Sequence, residues 1–411
     1  MAKRILDDWI KTYMQYTSHS EFPLMYHYWC AISAIAGAVE RKVWIEWEPG
    51  RTIYANMYII LVGHSGLGKG EAMRPIISIF NELRRKNVIA DAVTCEELSV
   101  QMSKGADNFL GPDNKTITHS SMQVFAKELS VLLGQKDLKM LSYLTDWFDC
   151  HDKWSKHTKH SDSEDIRGVY VNLLGATAPD WLDSILPVQA TGGGFTSRVI
   201  FVVENDLAKL KPYPDKSIEN IELKLDLVHD LQVISQVIGE FWLNQEALDF
   251  RAELYLDQHD PSRKQNTGWV IQQADEFEGY RSRRLLHLKK LGMIFALSRG
   301  SRGEIKKEDL VKGDKLLSAT EKKMPLVFSS IGRSQLAAIT GKIINFMQKY
   351  KKASRTQLLR AFYKDIDKPN LLIVEETLVD IGVLKIVSIG DDVEYEYIEK
   401  DQELTDIESL I

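Results

Sequence analysis

Residues 57–70 read MYIILVGHSGLGKG, an apolar run from Met57 to Val62 that opens directly into Gly63-His64-Ser65-Gly66-Leu67-Gly68-Lys69-Gly70. A short, uninterrupted apolar run bounded by glycine is the pattern of a strand buried on both faces. The turn after it fits G-x-x-x-x-G-K. In that pattern glycines let backbone N–H groups face phosphate oxygens, the following helix points its positive end at them, and the lysine neutralises their charge. Gly63, Ser65, Gly66, Gly68, Lys69 and Gly70 are the expected nucleotide-binding residues, with ATP and Mg2+ as the expected ligands. The last position departs from the pattern, which has Ser or Thr where this chain has Gly70. That hydroxyl normally binds Mg2+. A water can stand in for it, since Mg2+ usually keeps several.

Outward from this stretch, strand and helix patterns alternate. A helix is expected over 71–86, a strand over 88–93, and a capping box at Thr94-Cys95-Glu96-Glu97 opening another helix. Further strands are expected over 121–126, 168–174 and 199–203. Near-continuous apolar strands separated by helices predict an α/β fold with a mostly parallel sheet covered on both faces. The third strand ends in Lys127-Glu128, where a paired Asp and Glu would hold a metal through water and orient an attacking water. Lys127 takes the Asp place, so Glu128 is the candidate catalytic and metal-facing carboxylate; a surface Glu opening a helix is the alternative. Asp146 and Asp149 are backups for the metal.

The chain has 411 residues, enough for two or three domains. The expected division is an N-terminal helical segment with a hairpin at 1–49, an ATPase core at 50–210, a helical lid at 211–332, a winged helix-turn-helix at 333–400 and an acidic tail at 401–411. No apolar stretch nears the ~20 residues that cross a bilayer. The start MAKRILDDWI has no signal-peptide core, so a cytoplasmic location without membrane contact is expected. Cys30, Cys95 and Cys150 stand singly, without metal or disulfide spacing. A net charge of −6 gives no global attraction to nucleic acid, so such binding needs local basic patches.

Two further stretches carry a resemblance: Val169-Tyr170-Val171-Asn172-Leu173-Leu174-Gly175-Ala176-Thr177-Ala178-Pro179, and Gly192-Gly193-Gly194-Phe195-Thr196-Ser197-Arg198 before Val199. With the glycine-rich turn they resemble the AAA+ P-loop ATPases, in which strand four ends in a polar sensor and an arginine finger precedes strand five. The resemblance makes Thr177 or Asn172 the sensor and Arg198 the finger; a structural salt bridge is the other reading of Arg198. A finger acts on the γ-phosphate of a neighbouring subunit, so the resemblance implies a homo-oligomeric ring, a hexamer. Together with Phe125-Ala126-Lys127-Glu128-Leu129-Ser130, these blocks look like the helicase-type ATPases of phages and mobile elements, over roughly residues 10–325. In that group Lys-Gly recurs in place of Lys-Ser.

In AAA+ helicases, inserts between these elements line a central channel. Here the insert includes Lys153, Trp154, Lys156 and Lys159, expected to hold single-stranded DNA by charge and stacking; a solvated basic loop is the alternative. Its histidines fit no standard zinc spacing. In the lid, one of Arg281, Arg283 and Arg284 is expected to sense nucleotide. The winged helix is basic from Arg333 to Lys364, yet its expected recognition helix carries Glu375, Glu376 and Asp380. Such charge repels phosphates, which favours docking of a replication protein or another subunit. The acidic tail, with apolar residues interleaved, is a second candidate for a protein partner. The expected function is an ATP-driven motor on single-stranded DNA, a replicative helicase of a phage or mobile element. The alternatives are an ATP-dependent initiator or loader, and a nucleotide-dependent scaffold without hydrolysis.

Overall fold

The computed structural model describes the chain except residues 1–2, 84–86, 90–93, 135–137, 159–160, 180–181, 183–193, 214–219, 261–276, 329–334, 381–382, 390–392 and 399–411. Its contacts divide the chain into two units, Met1–Met324 and Pro325–Ser409.

The first unit opens with α1 (Trp9–Tyr16) and α2 (Leu24–Val39), then the hairpin β1 (Val43–Glu48) and β2 (Arg51–Tyr54). The apolar run becomes β3 (Tyr58–Val62), every residue of it buried, and the turn runs into α3 (Lys69–Glu82). Next come β4 (Val88–Ile89), α4 (Cys95–Lys104), β5 (Asp107–Leu110), β6 (Thr116–Ala126), α5 (Leu129–Leu133) and α6 (Leu138–Phe148). A second hairpin, β7 (Lys153–Thr158) and β8 (Ser161–Arg167), leads into β9 (Val169–Thr177) and β10 (Val199–Val203).

The central sheet runs β10-β3-β9-β6-β4 with every pairing parallel, and β5 adds antiparallel to the start of β6. All nine residues of β9 are buried, as a strand with both faces covered must be. On one face lies α2, where Tyr170 Oη donates to the Ala36 carbonyl at 2.6 Å. On the other, Leu129 of α5 lies 3.2 Å from where a Cβ on Gly175 would stand. Helix α2 is buried from Met25 to Val39, as expected of a helix apolar all round. It forms one side of the core, not an appended segment.

β6 starts five residues before the expected 121. Its early part is polar, which hid it; there His119 Nδ1 lies 2.7 Å from Ser121 Oγ, and the Arg41 N–H donates to the same hydroxyl at 3.3 Å. β5 was not anticipated.

The rest of the unit is α7 (Ile221–Ile234), β11 (Gly239–Glu240), β12 (Trp242–Leu243), α8 (Gln245–His259), α9 (Glu278–Ser298), β13 (Glu304–Ile305) and α10 (Lys307–Glu321). It is not purely helical, because β11 pairs with β1 and β12 with β13. Two-residue strands carry too little alternation to register in sequence.

The second unit contains α11 (Pro325–Phe328), α12 (Gln335–Tyr350), β14 (Lys352–Ser354), α13 (Arg355–Phe362), α14 (Lys368–Asp380), β15 (Leu384–Ile389) and β16 (Val393–Tyr397). The strands form an antiparallel sheet, β14-β16-β15, over a core that includes Ile343, Met347, Leu358, Leu371 and Leu378. Glu375 does not face solvent as its sequence position suggested. It is 2% exposed and accepts from Arg355 Nε at 2.8 Å and Tyr395 Oη at 2.7 Å. The acidic tail lies outside the described residues. Among the described residues no helix is long and apolar enough to cross a membrane.

Candidate functional site

The C-terminal ends of the parallel strands bring three of the expected groups to one edge. Val62 is in register with Thr177, and the Gly63 N–H donates to the Thr177 carbonyl at 3.3 Å. Ala126 is in register with Gly175, which brings Lys127 and Glu128 beside the end of β9. Thr177, buried, thus stands between the glycine-rich turn and Glu128.

The turn requires its glycines for different reasons. Gly66 and Gly68 have φ of +94° and +66°, the left-handed region that favours glycine. A Cβ on Gly68 would also stand 2.0 Å from the Phe22 ring, and one on Gly63 would stand 2.4 Å from Tyr26 Oη. At Gly70 a Cβ would meet nothing within 4 Å. Ser65 lies exposed at the tip. The turn feeds α3, whose first N–H groups are the ready-made anion site of a helix start.

Lys69 folds back onto the turn. Its Nζ donates to the Gly63 carbonyl at 2.6 Å and to that of His64 at 3.0 Å. Burial lowers its pKa, while the charge on Glu128 opposes that shift, so the two side chains sense one another. Glu128 is exposed and accepts from Ser130 Oγ at 3.1 Å.

Other expected residues are elsewhere. Asn172 lies at the opposite end of β9, where its side chain accepts from the Met57 N–H and donates to Ser33 and to Gln123 Oε1 at 2.7 Å. It ties α2 to the sheet and does not reach the turn, five residues or about 16 Å up the strand. Arg198 precedes β10 and so also sits at that opposite end, since Val199 is in register with Tyr58. It is 7% exposed, ion-paired with Asp149, and donates to the Gly194 carbonyl at 2.7 Å. Asp149 and Asp146 follow α6 to the same end, where Tyr58 Oη meets the Leu144 carbonyl at 2.8 Å. Neither reaches a metal at the glycine-rich turn.

The arginines of α9 are engaged elsewhere. Arg284 is buried between Glu321 and Asp314, an interior ion-pair network. Arg283 feels the charges of Arg198 and Asp149, and Arg281 is on the same turn of α9. The cation that the helical segment does bring toward the turn is Lys323, whose Nζ is 2.9 Å from Glu204 Oε2. Glu204 follows β10, and its carbonyl would lie 2.9 Å from a Cβ on Gly63. No motif marks Lys323; only the strand order reveals it.

The basic insert is a β-hairpin, not a loop. Lys153 and Lys156 both lie on its first strand. Lys153 pairs with Asp165 at 3.2 Å, and Lys156 is in register with Glu164. Trp154 packs edge-to-face with Tyr143 and Trp147, with ring centroids 4.8 and 5.4 Å away. Lys159 lies outside the described residues.

No protein-family model matches this chain, and no curated protein matches it.

Proposed function

We propose that the chain is an ATP-driven, ring-forming AAA+-type motor on single-stranded DNA, of the kind found among phage and mobile-element replicative helicases. The observation that carries this is the convergence at one sheet edge of a left-handed glycine turn, Lys69 and Glu128, with Thr177 between them. ATP phosphates would take the N–H groups from Gly63 to Gly70, and Lys69 would leave its two carbonyls to neutralise them. Glu128 would orient the attacking water, and Thr177 is the polar group at the end of strand four that the AAA+ resemblance implies.

The residues present fit a Mg2+ held largely by phosphate oxygens and water. Gly70 has no hydroxyl and Lys127 is a cation, so Glu128 would hold the ion through water; the ion would supply charge neutralisation on the phosphates. A neighbouring subunit would contribute Arg198 only after its ion pair with Asp149 opens. DNA contacts would come from the basic insert that carries Lys156 and Lys159. The second unit has the element order of a winged helix, and we read it as a docking module for a replication protein or another subunit.

The test is steady-state ATP hydrolysis with and without single-stranded DNA, beside Glu128→Gln and Lys69→Ala. Turnover should rise with DNA, fall at least about hundredfold in Glu128→Gln with ATP binding retained, and vanish with binding in Lys69→Ala. A second reading, a nucleotide-dependent scaffold, is favoured by the internal pairing of Arg198. ATP binding without turnover in any condition would put it first.

A further inference from the structure

Away from the glycine turn, two cations share one indole ring. Lys289 Nζ on α9 lies 3.5 Å from the Trp47 ring centroid, and Arg251 Cζ on α8 lies 4.6 Å from it and 5.1 Å from the Tyr255 ring. Lys289 is 4% exposed, and Arg251 Nε is shielded from water with no hydrogen-bond partner. Neither side chain has an ion pair among the described residues. The neighbouring cations differ: Arg284 has Glu321 and Asp314, Arg299 has Asp309, and Lys290 donates to Asn56 Oδ1.

Lys289 is buried beside a second cation, Arg251, which is itself half-buried; a charge so placed opposes folding, and ring–cation attraction offsets only part of that. A third cation, Arg51 on β2, adds to the field, and the one acid in electrostatic reach among the described residues, Glu48 on β1, is held 3.7 Å from Arg51. A dianion would satisfy the arrangement: a guanidinium fork matches phosphate oxygens two at a time, and an ammonium supplies a second charge.

We propose that Lys289, Arg251 and Trp47 form a second anion site, distinct from the glycine turn, that takes a phosphate group. The source is either a free phosphorylated compound or the backbone of a nucleic acid. Burial first, then Arg251 and Arg51, bring the Lys289 amine down to about 7. A bound anion favours its charged form, so affinity should fall as pH rises from 7 to 9.

The test uses the full chain carrying Lys69→Ala, so that the glycine turn, and the ATPase reading with it, drops out. Inorganic pyrophosphate and a short deoxythymidine oligonucleotide are titrated by calorimetry with and without Arg251→Gln and Lys289→Gln together. Intact cations should bind one probe at least about tenfold tighter, and the double variant should melt higher without anion because the like-charge burial is gone. Response to pyrophosphate alone identifies a free ligand. Response to the oligonucleotide, with a salt slope about 1.4 units smaller in the variant, identifies a backbone. Equal binding of both probes in the two proteins would overturn the site, as would an effect confined to self-association. If the double variant fails to fold, Arg251→Lys, which keeps the charge but loses the fork, should weaken the bound probe more than about threefold; unchanged binding overturns the proposal.

Discussion

Gly68 and Gly70 stand two positions apart and answer to opposite constraints. Gly68→Ala forces a Cβ into the left-handed region and into the Phe22 ring, so it should cost about 1–3 kcal/mol and abolish nucleotide binding. Gly70→Ser enters open space in the first turn of α3 and should be neutral or stabilising by up to about 0.5 kcal/mol. Denaturant midpoints check both; a destabilised Gly70→Ser would mean the missing hydroxyl reflects sterics. Asn172→Ala should lose about 2–4 kcal/mol through its orphaned partners while leaving ATP affinity in the surviving folded protein unchanged. At this scale the sequence was legible where one backbone turn demands particular residues. It was not legible where a side chain's role depends on which end of a strand it occupies, as for Asn172 and Arg198.

Among elements, β3, β9 and β10 are readable because both faces are buried and the chain is mostly apolar there. β6 is half hidden by His119, Ser120 and Ser121, and the basic insert is a hairpin where its density of Lys and His reads as a loop. Charge along α14 misled for a related reason, since Glu375 is drawn inside by Arg355 on α13. Arg355→Gln should therefore destabilise the second unit by about 3–5 kcal/mol by leaving a buried carboxylate uncompensated. Chemical denaturation of that unit checks this, and a loss under 1 kcal/mol would mean that water reaches Glu375.

Over the whole first unit, buried titratable groups set the response to pH. Burial lowers His27 to about 4 and His287 to about 3, against about 6.5 in an unfolded chain. Between those values the unfolded chain binds more protons, so stability should fall as pH drops below about 6.5. Lys289 and Lys290, lowered to about 7 and about 8, bind fewer protons folded than unfolded up to about pH 10, so stability should keep rising across that window. Tyr13, Tyr58 and Tyr280 are raised well above 10 by burial, which reverses the trend beyond it. Denaturant midpoints should peak near about pH 9–10; a maximum at or below 7 would show these groups to be hydrated. The strand order has a metric consequence as well. With β9 interposed between β3 and β6, the glycine turn and Glu128 stand two strand spacings apart, about 10 Å. On the proposed reading, a chain of phosphates laid from the turn would have to span that gap to bring its last member beside the carboxylate, so the sheet would act as a ruler that tells a triphosphate from a diphosphate by reach alone.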